Sequence, residues 1–335
     1  MRVIAASMFA ALWLVIFCCS VEAAHAQRRD TIFGHTYVGG YPNGAETLVS
    51  VDPASGSVRT LGSVPNSGSL GVLGGIAALD NVTHRYFFVG VLPPYSSETL
   101  YVMNIDTGAE VAAVPLSMPV NLAGMQFDPW SGYLFGHTYL GSIPNGAETL
   151  VSIDPVSGNV KTVGSVPNSG SLEVFGGVAA LDSANRRYFF PGSIPSSANK
   201  TYEMNIDTGA EVAELPLPVN LSAMEFDPLS GYLFGHTYLG SFPNGAETLV
   251  SIDPASGNVK TVGSVPNSGS LEVFEGVAAL DSINRRYFFP GLILSSENKT
   301  LYEMNIDTGA EVAEFPLSVN LMAIELPQFQ LGRFW

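Results

Sequence analysis

Three sets of residues repeat at matched positions in this 335-residue chain, and each suggests a different chemistry. Asn121, Asn220 and Asn320 form the first. Three amide oxygens brought to one point could coordinate Ca²⁺ or hold a polar ligand. Asparagine also shapes the entry of a loop into a strand, and that reading competes. Gln126, Glu225 and Glu325 form the second set, five residues further along each time. Buried carboxylates need partners or a raised pKa, unless they face solvated space. Five residues of strand span roughly 16 Å, so one site cannot use both sets. His35, His137 and His236 form the third. Three symmetric histidines invite a zinc reading. Their place on strands away from any central axis argues instead for packing among Tyr and Phe neighbours.

The elements that position these residues follow from an internal repeat, which overrides local reading. Phe33-Gly34-His35-Thr36-Tyr37 returns at 135–139 and 234–238, and the later two copies are nearly identical throughout. Each long repeat holds two related halves. One reads AMEFDPLSG, YLFGHTYLG, ETLVSIDP, NVKTVGSVP; the other reads GGVAALDSANRR, YFFPGSI, KTYEMNIDTG, EVAELPL. Both follow one grammar of short apolar strands with β-branched and aromatic residues between Gly, Pro, Asp and Asn turns. Four strands in about 50 residues make one propeller blade. Innermost strands are expected near 73–79, 120–127, 175–181, 219–226, 274–280 and 319–326.

The pattern NLSAMEFDPLSGYLFGHTY…ETLVSIDPASGNV resembles the repeats of YVTN-type and NHL-like β-propellers over the whole chain after its first segment. The resemblance implies fold and little about activity. The expected architecture is all-β: a six-bladed propeller of four-stranded blades in three double-blade repeats, about 31–130, 131–229 and 230–326. The chain enters directly on a second strand, near Thr31 to Val38, and ends with a spare innermost strand from Val319 to Glu325. That strand should pair with the N-terminal blade and close the ring, which removes an exposed sheet edge.

Residues 1–26 read as a signal peptide: Arg2, an apolar run from Val3 to Cys19, and Ala24-His25-Ala26 as the cleavage site. Residues 27–335 are then the propeller, secreted or, in a bacterial source, periplasmic, with no membrane span. Both cysteines, Cys18 and Cys19, leave with that segment, so disulfides and thiolate chemistry are excluded. The net charge of −16 and pI near 4.5 argue against nucleic acid. Asn81, Asn199 and Asn298 open sequons expected in loops, where glycans would fit; Asn220, at the head of a strand, is a poorer acceptor.

The turns DPLSG, DSANRR, DPVSGN and DTGAE are short and uniform, whereas 139–148 and 166–175 are longer. Long loops on a rigid scaffold carry function, so a site is expected on the long-loop face around the central channel. No G-x-S-x-G elbow, H-E-x-x-H, EF-hand loop or phosphate loop occurs. The expected function is a non-catalytic binding propeller whose partner is an extracellular protein or glycan, with no cofactor other than a possible Ca²⁺. Two alternatives stay open. One is a divalent-metal-dependent lactonase or esterase with its site at the channel mouth. The other is a structural surface or matrix protein.

Overall fold

The computed structural model describes residues 31–39, 44–65, 67, 76–92, 97–118, 120, 122–140, 146–167, 169, 178–192, 199–239, 245–266, 268, 277–293 and 298–327. They form six four-stranded antiparallel sheets. Blade 1 holds β1 (Ile32–Val38), β2 (Ala45–Val51) and β3 (Val58–Pro65). Blade 2 holds β4 (Ala77–Asp80), β5 (Arg85–Leu92), β6 (Ser97–Asn104) and β7 (Glu110–Pro115). Blade 3 holds β8 (Leu122–Asp128), β9 (Tyr133–Leu140), β10 (Ala147–Ile153) and β11 (Val160–Pro167). Blade 4 holds β12 (Ala180–Asp182), β13 (Arg187–Gly192), β14 (Lys200–Asn205) and β15 (Glu211–Pro216). Blade 5 holds β16 (Ala223–Phe226), β17 (Leu233–Leu239), β18 (Ala246–Ile252) and β19 (Val259–Pro266). Blade 6 holds β20 (Ala279–Asp281), β21 (Arg286–Ile293), β22 (Asn298–Asn305) and β23 (Glu311–Leu317).

The last strand, β24 (Ala323–Glu325), completes blade 1 by pairing with β1, Phe33 opposite Glu325 and His35 opposite Ala323. The expected closure is therefore present. Consecutive innermost strands touch all the way round, β24 to β4, β8, β12, β16, β20 and back to β24. These strands are shorter than their apolar runs suggested and begin later, so Asn220 and Asn320 precede β16 and β24 rather than open them. Asn298 is the first residue of β22, not a loop residue.

Six apolar clusters hold the ring, one between each pair of neighbouring blades. Each sheet buries both faces, which explains the near-continuous apolar runs. Each blade also carries a bulge between its third and fourth strands, as at Leu150/Val151 and Glu203/Met204. A bulge adds local twist, as a blade needs. Odd and even blades meet through bare backbone: a Cβ on Gly263 of blade 5 would lie 2.0 Å from the Gly309 carbonyl oxygen of blade 6, and Gly62 and Gly164 meet Gly108 and Gly209 likewise. Only glycine fits such contacts.

Candidate functional site

The six innermost strands place one residue each at a matching register. Gln126, Glu225 and Glu325 stand opposite Phe135, Phe234 and Phe33, in blades 3, 5 and 1. In blades 2, 4 and 6 the same position is Leu79, Leu181 and Leu280, each opposite a tyrosine. Three polar side chains thus alternate with three leucines around the channel.

Glu225, Glu325 and Gln126 line one cavity of about 210 Å³ together with Leu79 and Leu181. Phe127, Trp130 and Phe226 add aromatic wall, and Asp182, Asn185 and Arg187 add a polar side. The cavity opens where the short turns between first and second strands lie, because Pro129, Ser183 and Pro228 of those turns also line it. It is therefore at the mouth opposite the long-loop face.

Burial pushes the Glu225 carboxyl up to about 8. Glu325 is also held well above the usual carboxylate range, by burial and then by the charge of Glu225. Gln126 donates its amide to the Ala179 carbonyl at 3.2 Å. Asp182 differs from the glutamates: Arg187 bonds it at 2.6 Å and Asn185 at 2.8 Å. Tyr86 and Tyr287 stand behind the acids, their hydroxyls raised chiefly by burial and secondarily by Glu325 and Glu225.

The asparagine set does not join this site. Asn121 lies outside the described residues. Asn220 and Asn320 are exposed, line no part of the cavity, and Asn220 accepts a hydrogen bond from the Asn199 amide. Asn81 sits in the turn after β4 and does line the cavity. The connections 141–145 and 170–177, the centre of the expected long-loop face, lie outside the described residues, as do residues 1–26.

The histidines pack between blades, as their neighbours suggested. His35, His137 and His236 bond the hydroxyls of Tyr86, Tyr188 and Tyr287 in the next blade at 2.9, 3.0 and 3.0 Å. Each stacks on a phenylalanine of that blade, Phe88, Phe190 or Phe289. Burial lowers their pKa to about 4, 3 and 3, so they are neutral. Among the described residues no group of three or more His, Cys, Asp or Glu is arranged to hold a metal ion.

A second link between blades was missed by sequence reasoning. Arg186 reaches from the first turn of blade 4 to Asp128 of blade 3 at 2.6 Å, and to Asp207 of its own blade at 2.8 Å. Arg285 repeats this with Asp227 and Asp307 at the same distances. The arginines have φ of 60° and 58°, left-handed values set by the tight turn, and His84 shares them at 59°.

The ring of six four-stranded blades defines the class: a six-bladed β-propeller, similar in fold to YVTN-type and NHL-like repeat proteins. The model for the repeat of unknown function DUF6923 matches residues 32–186 and 88–276, and the chain belongs to that family. No curated protein sequence matches it. Among solved structures it is similar to TolB from Acinetobacter baumannii, with TM-score 0.60 and 14% identity over 89% of this chain; it spans 66% of the TolB chain. It is also similar to a chain of the nidogen/laminin complex, with TM-score 0.55 and 10% identity over 88% of this chain and 97% of that one. Kuenenia stuttgartiensis hydrazine synthase gives TM-score 0.55 and 13% identity over 85% and 86%. At such identities the likeness is one of fold.

Proposed function

We propose that the protein is a secreted, non-catalytic binding propeller, and that its long connections read an extracellular protein or glycan. One observation carries the reading. The three odd-to-even joints repeat the same histidine–tyrosine bond and the same glycine contact, so the strands that the long connections join stand in three like settings. A reaction needs unlike groups from unlike blades; a multivalent partner needs like ones. Like sites on one rigid body raise avidity without new contacts. The net charge of −16 favours partners that are not densely anionic.

The test is a binding screen of the secreted chain against glycans and extracellular proteins, followed by stoichiometry in solution. Up to three equivalents of a univalent partner per ring are expected, with loss when 141–145 and its two counterparts are replaced by Gly-Ser linkers. Turnover of a lactone or ester that disappears in Glu225→Gln would sink this reading in favour of the hydrolase.

A further inference from the structure

The cavity at the short-turn mouth carries two carboxyls for which no described residue supplies a counter-charge. Glu225 and Glu325 reach it from blades 5 and 1 and make no ion pair or hydrogen bond with a described residue, whereas Asp182 beside them is tied to Arg187 at 2.6 Å. Gln126 donates one amide hydrogen to the Ala179 carbonyl, and its oxygen is an acceptor. Three acceptors thus stand at one level of the channel, separated by leucines. Ca²⁺ takes six to eight oxygens, and a level that is half leucine does not offer them.

The rim adds an independent observation. Val82, Trp130, Leu229 and Ile283 sit in the short turns around this mouth and are 48%, 53%, 47% and 46% exposed. Apolar side chains clustered at a cavity mouth mark an interaction surface. Acceptors at the base, hydrocarbon in the wall and apolar side chains on the rim suit a cation on an alkyl stem.

We infer that the short-turn mouth docks a polypeptide that inserts one lysine side chain into the channel, its ammonium donating to Glu225, Glu325 and Gln126 and its apolar neighbours resting on the rim. This face is opposite the long connections, so the inference stands or falls apart from any partner there. The Glu225 carboxyl, held near 8 by burial, gives its proton to the buffer as the ammonium arrives. The other titratable groups facing the pair are Tyr287 and Tyr86, raised by burial, and the Arg187–Asp182 pair with Glu203 behind it.

The probes are acetyl-Leu-Lys-Leu-amide, acetyl-Leu-Gln-Leu-amide and n-butylammonium, titrated calorimetrically into the secreted chain in two buffers of different ionisation enthalpy. Saturable binding of one Lys peptide per ring is expected, with protons released and affinity rising from pH 6 to 8.5. The Glu225→Gln/Glu325→Gln variant should bind it at least ~10-fold more weakly, since a hydrogen bond to a charged group is worth about 1.5–3 kcal/mol. Glu311→Gln, on the outer strand, should bind as the parent does. A thermal melt of the double variant at or above the parental midpoint separates lost binding from lost folding. Equal binding of the Lys and Gln peptides, or unchanged affinity in the double variant, overturns the site. Butylammonium binding as tightly as the Lys peptide overturns the polypeptide source.

Discussion

The joint between blades 5 and 6 and the joint between blades 1 and 2 are built from the same repeat, yet only the first carries the arginine–aspartate clasp on its short-turn face. At the former, Arg285 bonds Asp227 at 2.6 Å across the joint. At the latter the arginine is replaced by His84, which bonds Asp106 of its own blade at 2.6 Å. The aspartate is missing as well, and Pro327 follows β24 in its place. The cause is topological. Asp227 belongs to the turn joining β16 to β17, where it holds Leu229 and Ser230. In blade 1 the first and second strands come from opposite ends of the chain, so no such turn exists. The buried His35–Tyr86 bond survives because it needs only the strands. Closing a ring with the two termini thus costs it one arginine–aspartate clasp and keeps the buried link.

The comparison can be broken most severely by removing residues 319–335. Leu321, Ile324 and Leu326, each 2% exposed, would be lost and β1 would become an edge. Buried Leu and Ile cost about 2–5 kcal/mol each, so the total rivals the stability of a typical domain. Loss of a cooperative thermal transition is expected; an unchanged midpoint would show that the seam does not hold the ring.

A smaller effect separates the two joints directly. Asp227 is fully buried; burial pushes its carboxyl up, but hydrogen bonds from Ser230 and Arg285 leave it below the usual range. Arg285→Ala leaves that charge without its cation, at about 2–3 kcal/mol, or roughly 5 °C. His84→Ala removes a part-exposed pair with Asp106, worth under about 1 kcal/mol. Equal midpoint changes in the two variants would remove the distinction.

A third effect is a pH dependence. Glu225 is raised to about 8 in the fold, so its contribution to stability is present at low pH and lost as pH rises from about 4.5 to 8. Glu225→Gln should melt a few degrees above the parent at pH 8 and level with it near pH 5. The histidines act oppositely: their contribution is full above about 6.5 and lost as pH falls towards 3–4, at joints with and without the arginine alike. A variant no more stable than the parent at pH 8 would mean that Glu225 is solvated in the channel.

The ring, its six blades and its closure were legible because they are repeated patterns, and a repeat needs no long-range inference. The packing of His137 was legible from its Tyr and Phe neighbours for the same reason. The Arg186–Asp128 clasp was not, since its partners lie in different halves of the repeat. Its trace was there: Thr-His-Arg at 83–85 departs from Asn-Arg-Arg where the chain also lacks the matching aspartate. The cavity was hidden more deeply. Glu225 and Glu325 meet only through curvature, and spacing along a strand says nothing of the opposite mouth. The length of the loops pointed to the other face.

The pairing of unlike blades restricts the size such a ring can take. His236 finds its tyrosine, Gly263 its glycine and Arg285 its aspartate only where an odd blade meets an even one. Inserting or deleting a single blade would set two blades of one kind side by side, with those partners absent. Rings made from this sequence can therefore change only in steps of two, and blade number in them is a conserved parity rather than a free count.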